Sequence, residues 1–151
     1  MTETQIAPTT DFDEAVAADV ASEWLRSFAE AIDSASTAAL EDLFTETASW
    51  RDFMAISWDV SNRIGRAELV ERLADWAARA GAEGFQLTPE QDPVVFEGDK
   101  VQAFFDFTTE ERVDRGYALL VSEEGRFRCQ MLETQADGLQ LQQHQVADQL
   151  L

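Results

Sequence analysis

One cysteine, one histidine and one lysine occur in this chain of 151 residues, and each scarcity closes off a chemistry. A lone Cys129 permits no disulfide within the chain, which fits a reducing compartment, so a cytoplasmic location is expected. No neighbouring feature activates Cys129, and it reads as an inert core thiol. His144 stands in the glutamine-rich stretch "QLQQHQ", which argues against Ser-His-Asp or Cys-His catalysis. Histidine and cysteine are too few for a metal site, no carboxylate loop of the calcium-binding kind is present, and no metal is expected. Lys100 follows Gly98-Asp99 and reads as a turn residue. Cations of either kind number 11 against 30 acidic side chains, a formal charge of −19. Such a surface repels phosphate backbones and anionic lipid, so neither a nucleic-acid nor a membrane partner is expected. No apolar run approaches a membrane span, and "MTETQIAPTTDFDE" lacks the apolar core of a signal peptide.

Against these gaps, 45% of residues are hydrophobic and 10% aromatic, enough for one globular domain with a sizeable core. Residues 1–11 read as a flexible leader, 12–139 as the domain and 140–151 as a C-terminal tail. Val16, Val20, Trp24, Phe28 and Ile32 recur at helical spacing, predicting an amphipathic helix over residues 13–33. Ser36 is placed to cap a short helix carrying Leu40, Leu43 and Phe44 inward. "SWRDFMA" reads as a short strand, and a third helix runs from Gly65 to its stop at Gly81. After Gly84 the period changes from helical to alternating. "GFQLTPEQDPVVFEG" is extended and broken by prolines, and "VQAFFDFTT" is a strand with Phe105, Phe107 and Thr109 on one face. "GYALLVSEEGRFRCQMLET" is a hairpin closed by Glu124-Gly125. The order of elements predicts an α+β fold: three N-terminal helices on a strongly curved, mostly antiparallel sheet, forming a cone-shaped barrel.

This order, with "LEDLFTETASW", "GRAELVERL" and the "EEGRFRCQ" hairpin, resembles the nuclear-transport-factor-2-like superfamily, including SnoaL-like cyclases and ketosteroid isomerases. A closer resemblance is to the small N-terminal domain of flavin-dependent, Baeyer–Villiger-type monooxygenases. It is carried by Trp50-Arg51-Asp52, Trp58-Asp59, Gly65-Arg66, Phe105-x-Phe107-x-Thr109, Gly116 and "GRFRCQMLET". No glycine-rich dinucleotide fingerprint is present, so no flavin or other cofactor is expected. The resemblance implies a hydrophobic small-molecule ligand and a homodimer. It also implies that Asp52 matches the general base of the isomerases, while their helix-borne tyrosine becomes Phe28 and their protonated acid falls near Tyr117. In that enzyme class a protonated aspartate and a tyrosine together form the oxyanion hole.

Two readings of Asp52 remain open. One is a structural ion pair with Arg51 or Arg63; the other is a carboxylate at the mouth of an apolar pocket, usable as a base. On the second reading Tyr117 joins Asp52 as a catalytic hydrogen-bond donor. Trp24, Phe28, Trp50, Trp58, Phe105, Phe107, Thr109 and Gln130 would then line the ligand pocket. The reaction would be an isomerisation, cyclisation or elimination. The alternative is a non-catalytic accessory or dimerisation domain that works through the outer face of its sheet. "ERVD" imitates the Arg-x-Asp pair of limonene-epoxide hydrolases. Aligned from "EGDK", that pair instead falls on Phe105 and Phe107, so Arg112 and Asp114 are expected in water beside a turn.

Overall fold

The computed structural model describes residues 13–53, 60–110 and 112–136. The expected leader, the tail beyond residue 139, and Trp58 lie outside the described residues. Helix α1 spans Glu14–Ser34, opened by Asp13, whose carboxylate accepts from the Val16 N–H at 3.1 Å. It ends at Ala35, which takes the left-handed conformation at φ 54°. The innermost positions are Ala17, Ala21, Trp24, Leu25, Phe28, Ala31 and Ile32. Small residues at three of these let the helix backbone approach the sheet, while Val16 and Val20 flank the buried stripe. The second helix, α2 (Thr37–Glu41), is capped by Ser36 as expected, but it stops one turn early. Phe44 does not continue it; it opens strand β1 (Phe44–Phe53), much longer than the short strand expected there. Beta-branched Thr45 and Thr47 follow at once, and they favour the pleated backbone.

Strand β2 (Val60–Ile64) leads into α3 (Arg66–Ala80), which ends on left-handed Gly81. Among the described residues two helices precede the first strand, and a third follows the β1–β2 pair. Then come β3 (Glu83–Leu87), β4 (Val94–Phe96), β5 (Lys100–Thr109), β6 (Arg112–Glu123) and β7 (Arg126–Ala136). All seven described strands join one sheet in the order β2-β1-β7-β6-β5-β3, with β4 also on β5. The sheet is antiparallel except where β1 runs parallel to β7. Its path runs from edge β2 to edge β3, and these edges are not paired with each other among the described residues. The coarse α+β reading holds.

Helix α1 packs over β3, β4 and β5, and α3 over β1 and β2, so both cover one face of the sheet. That inner face follows strict alternation on β5, where Val101, Ala103, Phe105, Phe107 and Thr109 are buried. On β6 the inward stripe is Asp114, Gly116, Ala118 and Leu120. Gly116 has to be a glycine because the Phe105 ring lies across it. A β-carbon there would meet the ring at 2.1 Å. No helix among the described residues is long and apolar enough to cross a membrane.

Candidate functional site

Most of the inner face is apolar. The rings of Trp24, Phe28, Phe44, Phe85, Phe105 and Phe107 form one continuous cluster, from the Trp24–Phe28 stack at 4.9 Å to the Phe85–Phe107 stack at 5.1 Å. Trp24 closes one end of it, donating from its indole to the Leu43 carbonyl at 3.1 Å. Over that end, a cleft of about 270 Å³ opens between α1 and the β6–β7 turn. It is remote from Asp52, which sits at the opposite end of β1.

Polar groups gather at the other end of the same face. Five polar side chains are buried among the described residues, and Asp52, Thr109, Asp114 and Thr134 make up four of them. The register brings these four together. Asp52 lies opposite Thr134 on parallel β7, Thr134 opposite Gly116, and Asp114 two residues along β6. Two strand spacings, about 10 Å of backbone, separate β1 from β6, and both side chains point to the buried face.

Two parallel chains of hydrogen bonds run through the cluster. In the first, the Trp50 indole N–H donates to Thr134 Oγ1 at 3.0 Å, and that hydroxyl donates to Asp52 Oδ1 at 2.5 Å. Trp50 is backed by Trp76 of α3, with ring centroids 5.7 Å apart. In the second, Arg112 donates from its terminal nitrogen to Thr109 Oγ1 at 3.0 Å, and Thr109 donates to Asp114 Oδ2 at 2.5 Å. Arg112 Nε also donates to Asp114 Oδ1 at 3.0 Å. Burial pushes the Asp114 carboxyl above the ordinary range; Thr109 and Arg112 oppose this, and the charge of Asp52 adds to it.

The expectation that Arg112 and Asp114 face water is therefore overturned. Asp114 is fully buried, and Arg112 reaches in from the rim with its side chain 29% exposed. The cause is a tighter turn than expected: the chain reverses after Glu110, and β6 resumes at Arg112 in register with Thr109. Asp114 then shares the period-two stripe of Gly116, Ala118 and Leu120. Extending that stripe two residues backward finds it.

Two further expectations need correcting on position. Tyr117 lies between inward-facing Gly116 and Ala118, so it points to the outer face. There it accepts from Gln102 Nε2 at 3.1 Å and packs against Phe104. Gln130 sits in a bulge between inward-facing Cys129 and Leu132, where the β6–β7 register shifts. It accepts from Thr45 Oγ1 at 2.7 Å and donates weakly to Thr47, away from Asp52. Neither residue is gathered with Asp52. Trp50, Asp52, Phe105, Phe107 and Thr109 share the inner face, and Trp24 and Phe28 join them through ring contacts. Arg51 alternates to the exposed side, whereas Arg63 lies opposite Trp50 in the register with its side chain outside the described residues. Thr134 is a member of the cluster that sequence reasoning does not reach. Its signals in the sequence are its place at the end of "GRFRCQMLET" and its period-two spacing from Leu132.

No family model matches the chain, and no curated protein matches it by sequence. Solved structures do. A nuclear-transport-factor-2-like protein with a cystatin-like fold from Novosphingobium aromaticivorans has a TM-score of 0.59 at 18% identity, covering 80% of this chain and 82% of that one. A ketosteroid isomerase-like protein from Erwinia carotovora atroseptica has a TM-score of 0.60 at 13% identity, covering 80% and 95%. An uncharacterized protein with a cystatin-like fold from Caulobacter vibrioides has a TM-score of 0.60 at 13% identity, covering 78% and 87%. At such low identities these likenesses establish a shared architecture, and the chain has the nuclear-transport-factor-2-like, or cystatin-like, fold.

Proposed function

We propose that this is a small-molecule domain of the SnoaL-like, ketosteroid isomerase-like kind, in which Asp52 is a general base acting on a hydrophobic substrate. The observation that carries this reading is the full burial of Asp52, on the aromatic face, inside a built polar cluster. Burying charged side chains costs several kcal/mol each, and well-packed apolar residues of like volume usually serve stability as well or better. Two aspartates held at one end of an aromatic core are therefore better explained by chemistry than by folding. Burial pushes the Asp114 carboxyl up, which is the direction an acid that donates a hydrogen bond to a developing oxyanion requires. Asp114 takes the part expected of Tyr117. The reaction class is an isomerisation, cyclisation or elimination that begins by removing a proton next to a carbonyl.

A second reading rests on the Arg112–Asp114 pair, mutually bonded, with Asp114 buried and Arg112 reaching in from the rim. With Asp52 activating water and Asp114 protonating the oxygen, the same cluster would add water to an epoxide. Incubating the purified protein with cyclohex-3-enone and with cyclohexene oxide separates the two. Isomerisation to the conjugated enone supports the first reading, diol formation the second, and neither product leaves the accessory-domain alternative.

For assembly we infer a homodimer through the outer sheet face. In a chain of charge −19, Arg115 there faces Asp106 across the ladder, with Glu133 near by, so charge on this face is nearly balanced. Phe104 and Tyr117 are half-buried beside Met131, which is 39% exposed. Sedimentation equilibrium tests it: a dimer that dissociates in Met131→Glu is expected, and a monomeric parent protein overturns it. Kinship with the domain carried by flavin monooxygenases is part of this proposal, and a physical complex with a separate flavin monooxygenase would support it.

A further inference from the structure

The cleft of about 270 Å³ between α1 and the β6–β7 turn takes no part in the chemistry proposed for Asp52. We infer that it is a second binding site, for a small primary amine with an apolar body about one ring in size, held as its ammonium ion by Glu23. Val20, Glu23, Trp24 and Ser27 of α1 line one wall. Steps of three, four and seven residues put them on one face of the helix. Val20 belongs to the same apolar repeat as Trp24 and Phe28, yet it is half-buried, because the cleft leaves part of it uncovered. Leu43, just before β1, and Phe127 on β7 extend the apolar lining. The Trp24 part of this wall is pre-formed: its ring stacks on Phe28 at 4.9 Å, and its indole N–H is held by the Leu43 carbonyl at 3.1 Å. A ligand therefore does not have to order it.

The polar groups of the cleft select the ligand's charge. Two of them are ionised, Glu23 and Arg126, and they differ in what they already hold. Arg126 donates from both terminal nitrogens to the Asp42 carboxylate, at 2.9 and 2.5 Å, so its charge is matched. The Glu23 carboxylate is exposed, and among the described residues it forms no ion pair or hydrogen bond. The unmatched charge at the cleft is thus negative, and the field of a chain of charge −19 adds to it, favouring a cation over an anion. An ammonium group has three N–H donors and no acceptor. Glu23 accepts from it, and Ser27 Oγ, one helical turn further along the same wall, accepts a second bond. The apolar body then covers Val20, Leu43 and Phe127, which distinguishes such a ligand from an inorganic cation drawn in by charge alone.

The test uses the full chain with phenethylamine as probe and phenylacetate, of similar shape and opposite charge, as its counterpart. Calorimetric titrations are run at about 0.15 M salt, where attraction beyond roughly 8 Å is screened. The expected result is saturable binding of one phenethylamine per chain and no binding of phenylacetate. Glu23→Gln should weaken the amine by about fivefold, the upper range for an exposed ion pair. Glu30→Gln makes the same charge change on α1 outside this cleft and should leave the affinity unchanged. Ser27→Leu fills the cleft and should abolish binding. In nitrogen-15 spectra the amine should shift the Trp24 indole N–H and leave that of Trp50, beside Asp52, in place. Glu23 is exposed, so Glu23→Gln folds and decides the matter even where Ser27→Leu does not. Absence of saturable amine binding, equal binding of phenylacetate, or the same affinity in Glu23→Gln as in Glu30→Gln overturns the proposal. So does a shift at Trp50 with Trp24 unmoved, which puts the amine at the Asp52 end. None of the substituted residues touches the Asp52 cluster, so the base reading stands or falls separately.

Discussion

Asp114 shows how one residue's surroundings set its ionisation. It has no exposed surface, and burial outweighs the hydroxyl and guanidinium that favour its charge, so its carboxyl titrates above 3.8. The folded protein therefore binds this proton more readily than the unfolded chain. Stability from that source is fully present below about 3.8 and is lost as pH rises through the folded value. Asp42 works in the opposite sense. Its hydrogen bonds to Arg126 hold its carboxyl below the ordinary range, so its contribution is present above 3.8 and is lost on acidification through its lowered folded value. Urea midpoints measured from pH 3 upward should separate them. In Asp114→Asn the midpoint should decline less with rising pH than in the parent protein, and in Asp42→Asn it should fall less on acidification. Parallel curves for all three proteins would contradict these assignments.

Among the elements, the β5–β6 ladder carries the tightest constraint. Gly116 is the floor under the Phe105 ring, which is itself fully buried. Gly116→Ala forces the ring off its rotamer or bends the strand, and overpacking of this kind costs about 1–3 kcal/mol. A thermal or urea melt of Gly116→Ala should show that loss, and unchanged stability would mean the ring moves freely. This ladder also shows what is legible in the sequence. Alternation from Val101 to Thr109 reads directly, because each inward residue is apolar or a threonine. The Glu124-Gly125 turn reads as directly, since both residues take positive φ there. The start of β6 does not, because "ERVDRG" looks like a solvated turn until the register with Thr109 pulls Asp114 inside. Tyr117 eludes the sequence for a related reason. Family alignment gives its position along the chain, but which face it occupies depends on the phase of the strand. Helix α2 reads too long because Phe44 is apolar in either element, and its parallel pairing with β7 is a non-local fact. Asp52 and its aromatic neighbours on the inner face are legible, whereas Thr134 depends on a strand partner 82 residues away.

For the whole molecule, the ruling quantity is its charge of −19. Exposed carboxylates repel one another over distances comparable with the Debye length, about 10 Å at 0.1 M salt. Compact states suffer this more than unfolded ones. Melting temperature should therefore rise as NaCl or KCl increases from low ionic strength, with little difference between the two salts, and salt should favour the dimer in the same range. A melting temperature independent of salt would show that the ion pairs of Arg126 and Arg128 with Asp42 and Glu123 already balance the repulsion. At the centre stands the claim that the buried carboxylate of Asp52 is there for chemistry. Its most direct test is the turnover of cyclohex-3-enone by the parent protein and by Asp52→Asn, with thermal melts of both. A base at this position predicts a rate lower by roughly 10²–10⁴-fold in the variant, the range typical of losing a general base, with the fold intact. Equal turnover, combined with a large loss of thermal stability in the variant, would contradict it and leave Asp52 a structural partner in the polar end of the core.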